Sequence, residues 1–166
     1  MKNIKLNNKI ILIIILVFLL IVVLQNYQNN LYIAPKKTII TLSNEKKTIS
    51  GTISKIRDGD TIVLDTTPIR LNGLTCNELG TPLGDQAKLF LQEKISSRKA
   101  TCTLNGSKSY DREIGRCKVN TVGDIGLLMI TSGLCGRCPR YDPDEIYLPT
   151  QKSAGPFVGL MPDYCK

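Results

Sequence analysis

Thr52-Ile53-Ser54-Lys55-Ile56, Asp58-Gly59-Asp60, Thr61-Ile62-Val63-Leu64 and Ile69-Arg70-Leu71-Asn72-Gly73-Leu74 follow one another near the middle of a 166-residue chain. The first run alternates apolar and polar residues, the two-residue period of a half-buried strand. Asp-Gly-Asp is turn chemistry, since Gly accepts unusual backbone angles and Asp bonds its own backbone. The third run restarts a strand, and a short turn leads into the fourth. This stretch therefore predicts a three-strand meander with tight connections.

Downstream, Leu83, Ala87, Phe90, Leu91 and Ile95 recur at helical spacing and form one apolar stripe. Pro82 suits a helix start, and Asp85 and Gln86 fall in the first turn. Two more strands are expected at Ala100–Leu104 and Gly115–Val119, joined by a polar loop. A short helix is expected from Asp124, with Ile125, Leu128 and Met129 inward and Gly133 as its stop. Leu134 to Lys166 is rich in Pro, Gly and Cys and reads as largely irregular, with one helical turn near Thr150–Ala154. Five strands with a helix between the third and fourth is the order of an OB barrel. The expected class is mainly β with α: a five-stranded Greek-key OB barrel with two to three short helices, behind an N-terminal transmembrane or signal helix.

That leader is residues Ile10 to Leu24, an unbroken apolar run preceded by Lys2, Lys5 and Lys9. It has the layout of a signal peptide or uncleaved signal anchor, with the lysines held on the cytoplasmic side. Its 15 positions compare with roughly 20 for a comfortable span. No small-x-small cleavage site follows directly, so the reading is a retained anchor, with secretion as the outcome if it is cleaved. The expected division is residues 1–30 as signal anchor or signal peptide, 31–47 as tether, and 48–166 as the exported domain. Thr38–Leu42 is expected to be a short extended stretch within the tether. Residues 10–24 would hold the chain in the membrane of the cell envelope, with the domain outside the cytoplasm as a monomer.

All six cysteines lie after the apolar run, which in an exported domain reads as disulfides. Cys135-Gly-Arg-Cys138 alone would also suit a redox pair or half a zinc site, but neither βαβ pattern nor further ligands at matched spacing accompany it. Cys102 and Cys117 fall on neighbouring strands of one hairpin, close enough to bond. Cys138 and Cys165 would tie the tail, leaving Cys76 for Cys135. The chain has no histidine, which excludes Ser-His-Asp and Cys-His hydrolases and H-E-x-x-H zinc enzymes. Carboxylates, arginines, lysines or a metal must carry any catalysis. The formal charge is +8, and the leader holds three lysines and no acid, so the remainder carries 8 less 3, or +5. That surplus suits an anionic partner such as nucleic acid.

The ordered motifs Asp58-Gly-Asp-Thr61, Ile69-Arg-Leu-Asn-Gly-Leu-Thr-Cys-Asn-Glu78, Asp111-Arg-Glu-Ile-Gly-Arg116, Val119-Asn120 and Ser132-Gly-Leu134 carry a resemblance. From about residue 50 to 141 the chain resembles the staphylococcal nuclease (thermonuclease) family. The resemblance implies that Arg70 and Arg116 bind the scissile phosphate, a role suited to the planar guanidinium fork. It implies that Glu78 activates the attacking water. Asp60, Thr75 and the backbone carbonyl of Cys76 would ligate a calcium ion, with Asp58 and Thr61 supporting them through water. Tyr141 would offer a ring for base stacking. Thr75 stands where the family has a second calcium carboxylate, Asn77 where it has proline, and Ile114 where it has tyrosine. The loop carrying Glu78 is accordingly expected to be less rigid. The implied activity is calcium-dependent hydrolysis of DNA or RNA with little sequence preference. The alternative is a nuclease-like module that binds nucleic acid or another anion without turnover.

Overall fold

A computed structural model describes residues 8–31 and 46–166, with side chains for 8–28 and 46–166. The expected tether and its Thr38–Leu42 stretch lie almost wholly outside the described residues. Helix α1, Asn8–Leu31, belongs to one compact unit, and the segment from Asn44 onward forms another. The helix does not end with the apolar run but continues through Gln25, Asn26, Tyr27 and Gln28. Asn8–Gln28 spans 21 residues, and its most apolar 18-residue window has a mean hydropathy of 3.0. At about 1.5 Å per residue this is long and apolar enough for a membrane span or a signal sequence.

The second unit is mixed α/β, built on a large, mainly antiparallel sheet. Strands β1 (Thr48–Ile56), β2 (Thr61–Leu64) and β3 (Thr67–Leu71) form the meander. Asp65 makes the tight β2–β3 turn at φ 53, while its Oδ1 accepts from the Thr52 amide at 2.9 Å. The fourth run does not continue unbroken to Leu74. Gly73, at φ +85, separates β3 from a short β4, Leu74–Cys76. A Cβ there would also press on the Tyr147 ring, so both backbone angle and space favour glycine.

Helix α2, Pro82–Ile95, begins at Thr81, whose hydroxyl accepts from the Gly84 amide at 3.1 Å. Its apolar stripe seats Ala87, Leu91 and Ile95 in the core, with Leu83 and Phe90 packed at its edge. Strands β5 (Lys99–Ser109) and β6 (Arg112–Val119) form one long hairpin turning at Tyr110, where φ is 57. Most of the expected polar loop is thus strand. Its residues are polar on both faces because that end of the hairpin stands clear of the core, so hydrophobic alternation was absent there as a signal. A short β7 (Gly123–Asp124) follows. Helix α3 (Ile125–Thr131) is capped by Asp124, which accepts from Leu127 N at 3.1 Å. Ile125, Met129 and Ile130 of α3 are buried, and Leu128 is only half-buried.

The tail is more ordered than its composition indicated. It contains β8 (Cys135–Arg137), α4 (Leu148–Ala154) and 3-10 turns at Pro139–Tyr141 and Asp163–Cys165. Strand β8 pairs with β4, setting Cys76 opposite Cys135. The main sheet runs β3-β2-β1-β5-β6-β7. In addition β3 pairs in parallel with β6, placing Arg70 opposite Ile114. Each of β1, β2, β3, β5 and β6 is therefore hydrogen-bonded to at least two others. Ile53, Ile62, Ile69, Leu91, Ile95 and Met129 fill the core between this sheet and the helices. Disulfides join Cys76 to Cys135, Cys102 to Cys117, and Cys138 to Cys165.

Candidate functional site

Alternation along β3 and β6 determines what faces away from the core. Ile69 and Leu71 point inward and Arg70 outward; Gly115, Cys117 and Val119 point inward, while Arg112, Ile114 and Arg116 are half-exposed on the other face. On that outer face lies a cavity of about 630 Å³. Asp58 and Asp60 reach it from the β1–β2 turn, Arg70 from β3, and Cys76, Asn77 and Glu78 from the end of β4. Tyr110 and Arg112 line it from the β5–β6 hairpin, and Tyr141 and Tyr164 from the tail.

Asp60 is the hub. It is 7% exposed, and its Oδ1 is ion-paired with Arg70 Nη1 and accepts from the Thr61 hydroxyl at 3.2 Å. Its Oδ2 accepts from the Cys76 amide at 3.3 Å, and its own amide donates to Asp58 Oδ1 at 3.0 Å. Burial, and then the neighbouring charge of Asp60, push the Asp58 carboxyl up to about 6. Burial works against the charge of Arg70, but Asp60 outweighs it and holds the guanidinium above its ordinary value.

Glu78 is exposed at the cavity, and no described residue hydrogen-bonds its carboxylate. Its backbone is well held. The Thr81 hydroxyl donates to the Glu78 carbonyl at 2.7 Å, and Gly84 lets the loop lie against α2, since a Cβ there would strike that carbonyl. Asn77 accepts from the Leu160 amide at 2.8 Å, so the tail ties down the loop that proline was not there to stiffen.

Three residues singled out in the sequence do not line the cavity. Thr61 is fully buried, and its hydroxyl donates to Asp60. Thr75 is buried opposite Gly136 and does not line the cavity. Arg116 does not line it either. Its Nη2 pairs with Asp142 Oδ1 at 2.6 Å, and its guanidinium lies 5.0 Å from the centre of the Tyr147 ring. Asp142 is fully buried and also binds Arg137 Nε at 2.8 Å and the amides of Ile146 and Tyr147 at 3.1 and 3.0 Å. Arg116 Nε is buried with no acceptor among the described residues.

Sequence reasoning did not single out Arg112, Tyr110, Tyr164 or Asp142. Arg112 shares a face of β6 with Arg116, but the expected strand began only at Gly115 because the residues before it are mostly polar. No comparable signal marked Asp142 or Tyr164, which sit in a tail without periodicity.

Among the described residues no three His, Cys, Asp or Glu side chains converge as a metal cluster. Asp58 and Asp60 nevertheless form a pair of hard oxygen donors, the Asp58 carboxyl raised first by burial and then by the charge of Asp60. Such a pair fits a hard divalent cation that completes its coordination with water and a bound anion. No protein-family model matches the chain, and no curated protein matches it.

Proposed function

We propose that this chain is a membrane-anchored phosphodiesterase of the staphylococcal-nuclease type, acting on nucleic acid outside the cytoplasm. The observation that carries the reading is the single cavity that gathers Arg70, the Asp58–Asp60 pair and the unpartnered carboxylate of Glu78. The β3–β6 pairing supports it, because it lets β1, β2, β3, β6 and β5 be read as one closed barrel of the OB kind. The lysines before α1 favour an N-terminus held inside and a domain outside.

In this reading a phosphodiester enters the cavity and Arg70 holds its oxygens, giving charge-assisted hydrogen bonds that strengthen as negative charge grows on the phosphate. Glu78 accepts a proton from the attacking water, whose oxygen bonds to phosphorus as one P–O ester bond breaks. The departing oxygen takes its proton from solvent. Calcium, when bound, would be held by Asp58 and Asp60 with the Cys76 carbonyl, and would supply positive charge to the phosphate. Tyr141 offers a base-stacking ring, and Tyr110 and Tyr164 share the cavity with it.

A second reading, binding without turnover, is favoured by the position of Thr75, which adds no ligand to the cavity, and by the engagement of Arg116 with Asp142. Full-length protein in detergent micelles, incubated with DNA in calcium or in chelator, separates the two. Hydrolysis that Glu78→Gln lowers by about 10²–10⁴, with DNA binding retained, supports the enzyme. Binding without hydrolysis in any condition supports the module.

A further inference from the structure

We propose that Arg112, not Arg116, is the second phosphate-binding guanidinium of this cavity, and that Arg116 is a structural member of the Asp142 centre. The assignment rests on the phosphodiesterase reading above. Arg112 and Arg116 lie four positions apart on the same face of β6, so either is sterically a candidate for a ligand on that face. What separates them is how each guanidinium is occupied.

Arg112 lines the cavity and forms no ion pair with a described carboxylate. Its three hydrogen bonds all go to neutral acceptors: Nε donates to the Ser109 carbonyl at 3.3 Å, Nη2 to the Ser109 hydroxyl at 3.0 Å, and Nη1 to the Thr61 hydroxyl at 3.1 Å, while its guanidinium lies 5.9 Å from the centre of the Tyr110 ring. A guanidinium has five N–H groups, so one remains on each terminal nitrogen, the pair that a phosphate engages in a two-point contact. The Ser109 contacts fix the orientation of the fork in advance, which lowers the entropy cost of binding. The Thr61 contact links Arg112 to the centre already described. Thr61 Oγ1 accepts from Arg112 and donates to Asp60 Oδ1, and Asp60 in turn holds Arg70. One threonine and one aspartate thus set both guanidiniums around the same space.

Arg116 is spent by comparison. Its charge is matched by a fully buried carboxylate at 2.6 Å and its plane faces the Tyr147 ring. Withdrawing it to reach a phosphate would cost the buried Asp142 a charge-assisted hydrogen bond and the Tyr147 ring its cation, leaving Arg137 and two amides to hold the carboxylate.

The test uses full-length protein in detergent micelles and a fluorescein-labelled single-stranded 12-mer DNA, with affinity followed by anisotropy across a salt series and folding by thermal melts. Arg112→Gln is expected to weaken binding roughly 10–100-fold, the loss of charge-assisted hydrogen bonds. It should also reduce the salt slope by roughly 0.7, the loss of one phosphate contact on a single strand, with little change in melting temperature. Arg116→Gln is expected to lower the melting temperature and leave the salt slope of the folded protein unchanged. Should Arg112→Gln not fold, Arg112→Lys decides: it keeps the charge and the slope but loses affinity because a point charge replaces the fork. Unchanged affinity in the Arg112 variants, or transfer of the slope loss to Arg116→Gln, overturns the assignment while the wider reading stands. If wild type and Arg70→Gln alike fail to bind the oligonucleotide, the phosphodiesterase reading falls, and this assignment with it.

Discussion

Asp60 and Asp142 both hold arginines from the outer face of the sheet, yet they do so under different conditions. Asp60 sits at the wall of a cavity, bonded to Arg70, which itself lines open space. Asp142 has no exposed surface and is surrounded by Arg116, Arg137 and two backbone amides. Arg70 can meet a ligand at the cavity it lines, whereas Arg116 shares the fully buried Asp142 with Arg137 away from that cavity. Residue type and strand position are shared between the two centres. What separates them is the cavity: Arg70 and Asp60 border it, whereas Arg116 and Asp142 do not.

The largest effect that could break this contrast is expected at the sealed centre. Asp142→Asn leaves two arginines without their carboxylate and should cost about 3–5 kcal/mol of stability, read as a lowered denaturation midpoint. A loss no greater than that of Asp60→Asn would show that burial does not separate the two. Asp60→Asn itself should cost about 1–3 kcal/mol, from losing a charge-assisted hydrogen-bond acceptor, and under the proposed function it abolishes calcium binding measured by calorimetry. Tyr147→Phe sharpens the picture of the sealed side. It removes the 3.1 Å bond from the Tyr147 hydroxyl to Asp124 Oδ1 and should cost about 0.5–1.5 kcal/mol, with DNA affinity unchanged.

A further signal is expected from pH at the open centre. The Asp58 carboxyl lies above its ordinary 3.8, at about 6 in the folded chain. A raised acid favours the folded state while protonated, so its contribution is complete below about pH 4 and lost as pH rises through 6. The melting temperature of wild type relative to Asp58→Asn should therefore fall between pH 4 and 6. A difference that stays flat, or rises, would remove the case for a strained carboxylate pair.

The legible parts of the molecule are those where one local rule and the tertiary structure agree. The α2 stripe follows from helical spacing and is the stripe that enters the core, and the apolar leader forms one long helix. Asp58, Asp60, Arg70 and Glu78 were singled out by the resemblance of their motifs to the staphylococcal nuclease family, and all four border one cavity. Arg116 illustrates the limit. Its environment depends on Asp142, 26 residues downstream in a segment with no periodicity. Arg112 was hidden for a related reason: the hairpin that carries it is polar on both faces, and its strand character comes from ladder hydrogen bonds rather than from burial. The break at Gly73 and the β4–β8 pairing were likewise set by a tail partner that no local pattern announces.

Cys76 borders the cavity, gives its amide to Asp60, and is covalently joined to Cys135 beneath it. The wall of the binding space is therefore completed by an oxidation step. A chain still in a thiol-reducing compartment would carry two sulfhydryls there and an unfastened β4–β8 pair. Under the function proposed above, ligand competence follows this oxidation, a spatial safeguard written into one covalent bond.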